Sequence, residues 1–377
     1  MSKQALLMLD DGTCFAGESC GAEGEALGET VFITGMCGYQ ESITDPSYYG
    51  QIMVFTAAHL GNYGASPLDD EAPAPRAAGA VFHDLFVPPK TEAFPHWRAA
   101  EALDAKLKRQ GVTGIKNLDT RALTLHLRDK GARNGIISVL DMDKASLLRR
   151  VREWPSMQGL DLASKAGCAH PYAFDSEDKS APVPDLHVAL IDFGAKRSIL
   201  RRLAGQGMKV TVLPATASAT EVLDLAPDGV MLTNGPGDPE PCAYAVNCIR
   251  FLLGRLPIFG ICLGHQLLGL ALGARTYKLP FGHHGVNHPV LDLTSRRVEI
   301  TSQNHGFCVD PQTLPARAEV THVNLNDGTL EGLRVKDAPA FSVQFHPEAA
   351  PGPTDAAGLF VRFRSLILQH REGRCHA

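Results

Sequence analysis

The chain has 377 residues, of which 44% are hydrophobic and 20% charged, and a formal net charge of −5. It is long enough for two domains, each with its own core, and the negative balance supplies no basic stripe for nucleic acid. No apolar run approaches the ~18 residues of a membrane span and the start MSKQALLMLDDG lacks the apolar stretch of a secretory leader, so a cytoplasmic chain is expected, without nucleic acid or membrane as partner.

Over residues 1–150, GETVFIT and QIMVFTAAH read as strands between glycine-rich turns. HWRAAEALDAKLKRQG reads as a helix. So does LDTRALTLHLRDKG, with Asp119 or Thr120 as its cap, Leu123 and Leu127 on one face, and Gly131 at its end. This mixture predicts an N-terminal mixed α/β domain. The polar, proline-bearing stretch AFDSEDKSAPVPD over 173–185 reads as a linker, giving an N-terminal domain over 1–150, a connector over 151–185 and a second domain over 186–377. In that second domain HVALIDFG, KVTVLPA, GVMLTNGPGDP and LPIFGIC alternate with the helical patterns KRSILRRLAGQG and YAVNCIRFLLGRL. The alternation predicts an α/β fold: a parallel-rich sheet flanked by helices, whose working loops lie at the carboxyl ends of the strands.

Nine cysteines are scattered along the chain, none in a C-x-x-C pair, so most read as buried apolar residues in a reducing compartment. One has a different setting. Gly260-Ile261-Cys262-Leu263-Gly264 follows LPIF and precedes HQLLGLALG, the thiol counterpart of a nucleophile elbow. Glycines on either side of the bend remove side chains that would strike the neighbouring strand and helix. The thiol then stands at a helix N-terminus, where amides and dipole favour its anion, and the amide of Leu263 can face a developing oxyanion.

A thiol nucleophile requires a base and the base an orienter. FSVQFHPEAAPG places His346 and Glu348 two apart at the end of an apolar strand, where extended chain puts both on one side and Pro347 stiffens the backbone. Taken alone, the motif reads equally as a solvated turn; the elbow favours the functional reading. Asn234-Gly235-Pro236-Gly237-Asp238-Pro239 reads either as an oxyanion or carboxylate cradle or as a plain surface turn. His283, His284 and His288 lack a further ligand at metal-site spacing, so no metal is expected.

FGICLGHQLLGLALGA with FHPE and NGPGDP resembles the class I, or triad, glutamine amidotransferases. Within that class, GYQESITDPSYYGQI, HLGNYG, LDTRALTLHLRDKGARNG, FGHHGVNHPV, TSQNHGFCVD and HPEAAPGPTDA resemble the small, glutamine-hydrolysing subunits of carbamoyl-phosphate synthetase over essentially the whole chain. The resemblance implies a class I glutamine amidotransferase domain over 186–377, with Cys262 as nucleophile, His346 as base and acid, and Glu348 orienting it. It implies glutamine contacts from Gly35, Gly235, Gly237, Leu263, Gln266, Asn304, Gly306 and Phe307. Gly35 stands where some relatives carry serine, so only its backbone is available. Cys37 replaces a common threonine, and Val286 a frequent glycine. The implied partner is the large subunit, which uses bicarbonate and two ATP with a divalent cation to make carbamoyl phosphate for arginine and pyrimidine biosynthesis. This chain itself needs no cofactor, and higher oligomers of the heterodimer are open. The absence of a G-x-x-x-x-G-K-[ST] loop agrees with ATP being used elsewhere.

Overall fold

The computed structural model describes residues 3–88, 96–176, 178 and 180–375. The chain divides into one unit of Met1–Met157 with Pro280–Gly285 and another of Gln158–Leu279 with Val286–Ala377.

In the first unit, short strands close into a barrel in the order Gln4–Leu9, Cys14–Gly21, Thr113–Lys116, Gly79–Val81, Gln51–Phe55, Glu25–Ile33 and Arg133–Ser138. Closure leaves no free sheet edge. Leu7, Val54, Ile115 and Ile137 fill one core cluster, and the stacked rings of Phe55 and Phe82 belong to another. The two strand-like runs are both present, paired in parallel with Glu29 opposite Gln51. The helix Thr120–Lys130 has Asp119 as its cap: Oδ1 accepts from the Ala122 amide at 2.8 Å, and Gly131 ends the helix at φ 88°. The helix expected over HWRAAEALDAKLKRQG covers only Leu103–Arg109. Upstream of it the amides of Ala100 and Glu101 both donate to the Ala65 carbonyl, so tertiary pairing claims backbone that local propensity would have made helical.

The second unit is built on a ten-stranded sheet. Met208–Pro214, Leu186–Asp192, Gly229–Leu232, Ile258–Ile261 and Ala340–Val343 are consecutive and parallel. Leu330–Val335 and Ala318–Asn324 continue it antiparallel, with Thr276–Asp292 and Arg297–Val309 beyond. At the other edge Tyr172–Ala173 pairs with Met208–Pro214, and the Cys168 amide donates to Asp192 at 2.8 Å. Both faces are buried, which is why the strands read as unbroken apolar runs. Ile258 packs with Leu263, Leu267 and Ile249 on one face; Phe259 stacks on Phe341 at 4.5 Å on the other.

Because the central strands are parallel, the segments leaving their carboxyl ends emerge together. These are DFGAK after Leu186–Asp192, TNGPGDP after Gly229–Leu232, CLGHQ after Ile258–Ile261, and QFHPE after Ala340–Val343. Among the described residues, no helix is long and apolar enough to cross a membrane.

Candidate active site

Cys262 occupies the single residue between the strand Ile258–Ile261 and the helix Leu263–Leu272, with φ 53° and ψ −103°. That conformation is costly for a side chain with a Cβ and persists only where its surroundings impose it. They do so through hydrogen bonds on both sides. The Cys262 amide donates to the Val343 carbonyl at 2.9 Å, and its carbonyl accepts from the amides of His265 and Gln266. The flanking glycines are a packing requirement. A Cβ on Gly260 would lie 2.7 Å from the Gly264 carbonyl oxygen, and one on Gly264 only 2.4 Å from that of Leu232. Both obstacles are backbone. Gly264→Ala is therefore expected to lower stability by about 1–3 kcal/mol through overpacking and to reduce activity as the helix shifts; denaturant titration beside a rate assay checks it. A fully stable, fully active variant would show that the bend tolerates a methyl group.

The sulfur is buried, with the residue 2% exposed. It lies 3.5 Å from the Asn304 carbonyl oxygen and 3.6 Å from Nε2 of Gln344. The Gly264 amide is spent on the Thr233 carbonyl, while among the described residues the Leu263 amide donates to no protein acceptor. Gly235 sits where a Cβ would come within 2.4 Å of the Phe193 carbonyl oxygen and 2.8 Å of Leu263 Cδ2.

His346 and Glu348 are also buried, and Nδ1 of His346 meets Oε1 of Glu348 at 2.7 Å. The local geometry differs from the extended pair expected from sequence. The strand ends at Val343, and the Ala349 amide donates back to the His346 carbonyl at 3.2 Å, so a turn brings the ring and carboxylate together. The His346 amide donates to the Ser302 carbonyl, tying this turn to the strand Arg297–Val309. Nε2 of His346 is buried with no hydrogen-bond partner among the described residues, and the Cys262 sulfur acts on the ring.

Burial opposes charge on His346, but the Glu348 carboxylate and the Cys262 sulfur outweigh it and raise the imidazole pKa to about 10. Burial likewise opposes charge on Glu348, and here Lys196, followed by His346, lowers the carboxyl pKa to about 2. Lys196 was not singled out from the sequence. Its Nζ lies 3.0 Å from Oε1 of Glu348 and donates to the Ala349 carbonyl, with both side chains at most 2% exposed. Its amide donates to Oδ1 of Asn234, so NGPGDP helps hold it. The available signal was a lysine four residues past the end of the strand Leu186–Asp192, in DFGAK at the working end of the sheet. Gln344, two residues before His346, was also missed.

The remaining expected contacts fall as follows. Gln266 is buried and its Nε2 donates to the Phe307 carbonyl at 2.8 Å and to Gln344 at 3.1 Å. Asn304 and Phe307 are buried, whereas a Cβ on Gly306 would meet nothing within 4 Å. Gly237, at φ 88°, lies against Leu160 and Leu162. Gly35 is buried in the first unit, after the strand Glu25–Ile33. His283 and His284 are buried in the first unit too, where the Thr34 amide donates to the His284 carbonyl.

A thiol on a strand-to-helix bend, a carboxylate-bound imidazole and a parallel sheet define a triad amidotransferase of class I. Residues 189–366 match the family Glutamine amidotransferase class-I, and residues 7–137 match the family Carbamoyl-phosphate synthase small chain, CPSase domain. Among curated proteins, the chain is 48% identical over 379 residues to the carbamoyl phosphate synthase small chain of Syntrophotalea carbinolica, covering 98% of this chain and 100% of the relative. It is 51% identical over 372 residues to that of Thioalkalivibrio sulfidiphilus, covering 96% and 97%, and 49% identical over 384 residues to that of Escherichia coli K12, covering 99% of each. The chain belongs to the family of carbamoyl phosphate synthase small chains, and its role is that of the glutaminase subunit.

Proposed function

We propose that Cys262, His346 and Glu348 carry out this glutamine hydrolysis through a glutamyl thioester. The observation that carries the reading is the buried sulfur at a strained bend beside an imidazole held by Glu348 at 2.7 Å. In the proposed cycle Cys262 attacks the side-chain carboxamide carbon as a thiolate, with the proton on Nε2 of His346. The new oxyanion accepts from the Leu263 amide. The imidazolium gives its proton to the nitrogen, the C–N bond breaks and ammonia leaves. Water, losing a proton to the same ring, then cleaves the C–S bond to release glutamate and restore the sulfur. Gly235, Gly237, Gln266, Asn304, Gly306 and Phe307 surround the glutamine. The chemistry belongs to the domain over 186–377, joined through the connector 151–185 to the N-terminal domain over 1–150. Free ammonia at neutral pH is mostly protonated and not nucleophilic, so it passes through the protein interior to a large-chain partner in the cytoplasm, where ATP and a divalent cation serve carbamoyl phosphate synthesis.

The test is glutamine-dependent against ammonia-dependent carbamoyl phosphate synthesis by the purified chain with a cognate large chain. Both are expected. Synthesis from ammonia alone would overturn the reading. Labelling of Cys262 by a glutamine-analogue electrophile, blocked by glutamine, is expected alongside, and its failure would count against the nucleophile.

The raised imidazole pKa sets the alkaline side of the rate profile. The protonated ring, needed at the start of the cycle, is lost only as pH approaches about 10. Glu348→Gln removes the carboxylate charge that raises it and leaves the burial that lowers it. The alkaline limb of kcat/KM should therefore move to lower pH, with the plateau falling by about 10²-fold. An unmoved limb would separate Glu348 from the titration of the ring.

A further inference from the structure

Behind the strand that lies against Cys262 runs a second, fully buried polar chain. Glu331, on the strand Leu330–Val335, is 0% exposed. Its Oε1 accepts from Nδ2 of Asn324 at 2.8 Å and its Oε2 from Nε2 of Gln303 at 3.0 Å. Oε1 of Gln303 faces Nε2 of His305 at 3.0 Å, and Nδ1 of His305 faces the Phe307 carbonyl at 2.9 Å. That carbonyl also accepts from Gln266, whose Nε2 donates to Gln344, which in turn donates to the Cys262 sulfur. Gln303, His305 and Asn324 are each at most 4% exposed.

The order of donors and acceptors in this chain is set at one end. Each oxygen of Glu331 accepts from an amide NH2 group, Oε1 from Asn324 and Oε2 from Gln303, an order that a carboxyl side chain supplies and an amide in its place does not. It therefore fixes which way the Gln303 amide points, and that presents an acceptor to His305. Nε2 of His305 then donates to Gln303, while Nδ1 faces the Phe307 carbonyl at 2.9 Å and the Cys308 sulfur at 3.7 Å. We propose that Glu331 is a positioning residue for glutamine, acting through Gln303 and His305 to set the backbone over 304–307 against Cys262. The inference rests on the glutamine contacts proposed above for Asn304, Gly306 and Phe307.

Glutamine at 331 would present an NH2 group to one of two amide NH2 groups. Relieving that conflict at Gln303 turns its nitrogen toward Nε2 of His305, and the ring loses its donor arrangement. Glu331→Gln is therefore expected to raise KM for glutamine about tenfold or more, the order of one buried hydrogen bond, with kcat within about twofold and the thermal midpoint little changed. The ring 15N shifts of His305 should move with KM. The exchange Gln303→Glu with Glu331→Gln rebuilds the donor order with the groups reversed, and should return KM to within about threefold of the parent. Should Glu331→Gln alone fail to fold, the exchanged protein carries the test. An unchanged KM in Glu331→Gln, a loss confined to kcat, or an exchange with KM as high as the single variant each overturns the proposal. The parent chain, assayed first, separates this result from the reading beneath it: absence of glutamine hydrolysis there would mean the triad assignment had failed.

Discussion

Cys262→Ala removes glutamine hydrolysis by at least about 10⁴-fold, the scale seen when a covalent nucleophile is deleted, and leaves the chain folded. The substitution takes away only the sulfur. The Cβ remains, so alanine meets the same backbone demand at φ 53° that cysteine meets. Sγ itself touches the Asn304 carbonyl and Gln344, and neither of these interactions holds the bend. The bend is held by main-chain bonds from Cys262 to Val343, His265 and Gln266, all of which survive. Stability should change by no more than about 1 kcal/mol. In complex with a large chain, ammonia-driven synthesis should persist while glutamine-driven synthesis disappears. A variant that keeps glutamine turnover within tenfold of the parent refutes the nucleophile; equal loss of both activities shows instead that assembly was damaged.

Lys196→Met should be the most damaging change to stability in the site. The ammonium and the Glu348 carboxylate are taken out of water together, and the turn at Ala349 is bonded to the same nitrogen. Methionine fills the space but leaves the carboxylate buried with only His346 as counter-charge. Breaking a buried pair from one side costs about 3–5 kcal/mol. The sign of the pH dependence follows from Glu348, whose folded pKa is depressed to about 2 from 4.5. Such a group contributes stability that is fully present above the unfolded pKa and is lost as pH falls through the folded one. The gap between parent and variant should thus be complete at neutral pH and close progressively below about 4.5 toward 2. Urea titrations at pH 7 and at acid pH measure it. Adding Glu348→Gln to Lys196→Met should recover part of the lost stability, since no lone charge then remains, without recovering activity. A gap independent of pH would remove Glu348 from the explanation.

The elbow could be read from five residues because its constraint is local. A thiol at positive φ between a strand and a helix leaves no room for neighbouring Cβ atoms, and Gly260 and Gly264 record this directly. His346 and Glu348 were legible for a related reason: a spacing of two with proline between admits few arrangements. The arrangement adopted is nevertheless a turn, because the strand stops at Val343 and the His346 carbonyl is claimed by Ala349. The N-terminal region shows the opposite case. Its strands were visible one at a time, but closure into a barrel depends on which strand pairs with which, including Gln4–Leu9 with Arg133–Ser138 across most of the unit. The helix expected from residue 96 onward was shortened by the pairing of Ala100 and Glu101 with Ala65.

The sequence by itself determined the parallel α/β layout of the second unit, the bend that carries Cys262, and the identity of His346 and Glu348. The layout and the bend are written in runs of adjacent residues whose sterics or periodicity restrict the outcome, whereas FHPE marked the pair without fixing the turn that joins it. Only the tertiary structure decided that Lys196 is the cation beneath Glu348, that Gln344 and the Asn304 carbonyl face the sulfur, and that Glu331 stands behind the strand 303–307. These residues come from different strands and are far apart in sequence. Lysine, glutamine and glutamate carry no local mark of burial, and they become partners only when the folded sheet removes them from water together and leaves each the other's nearest charge or hydrogen bond.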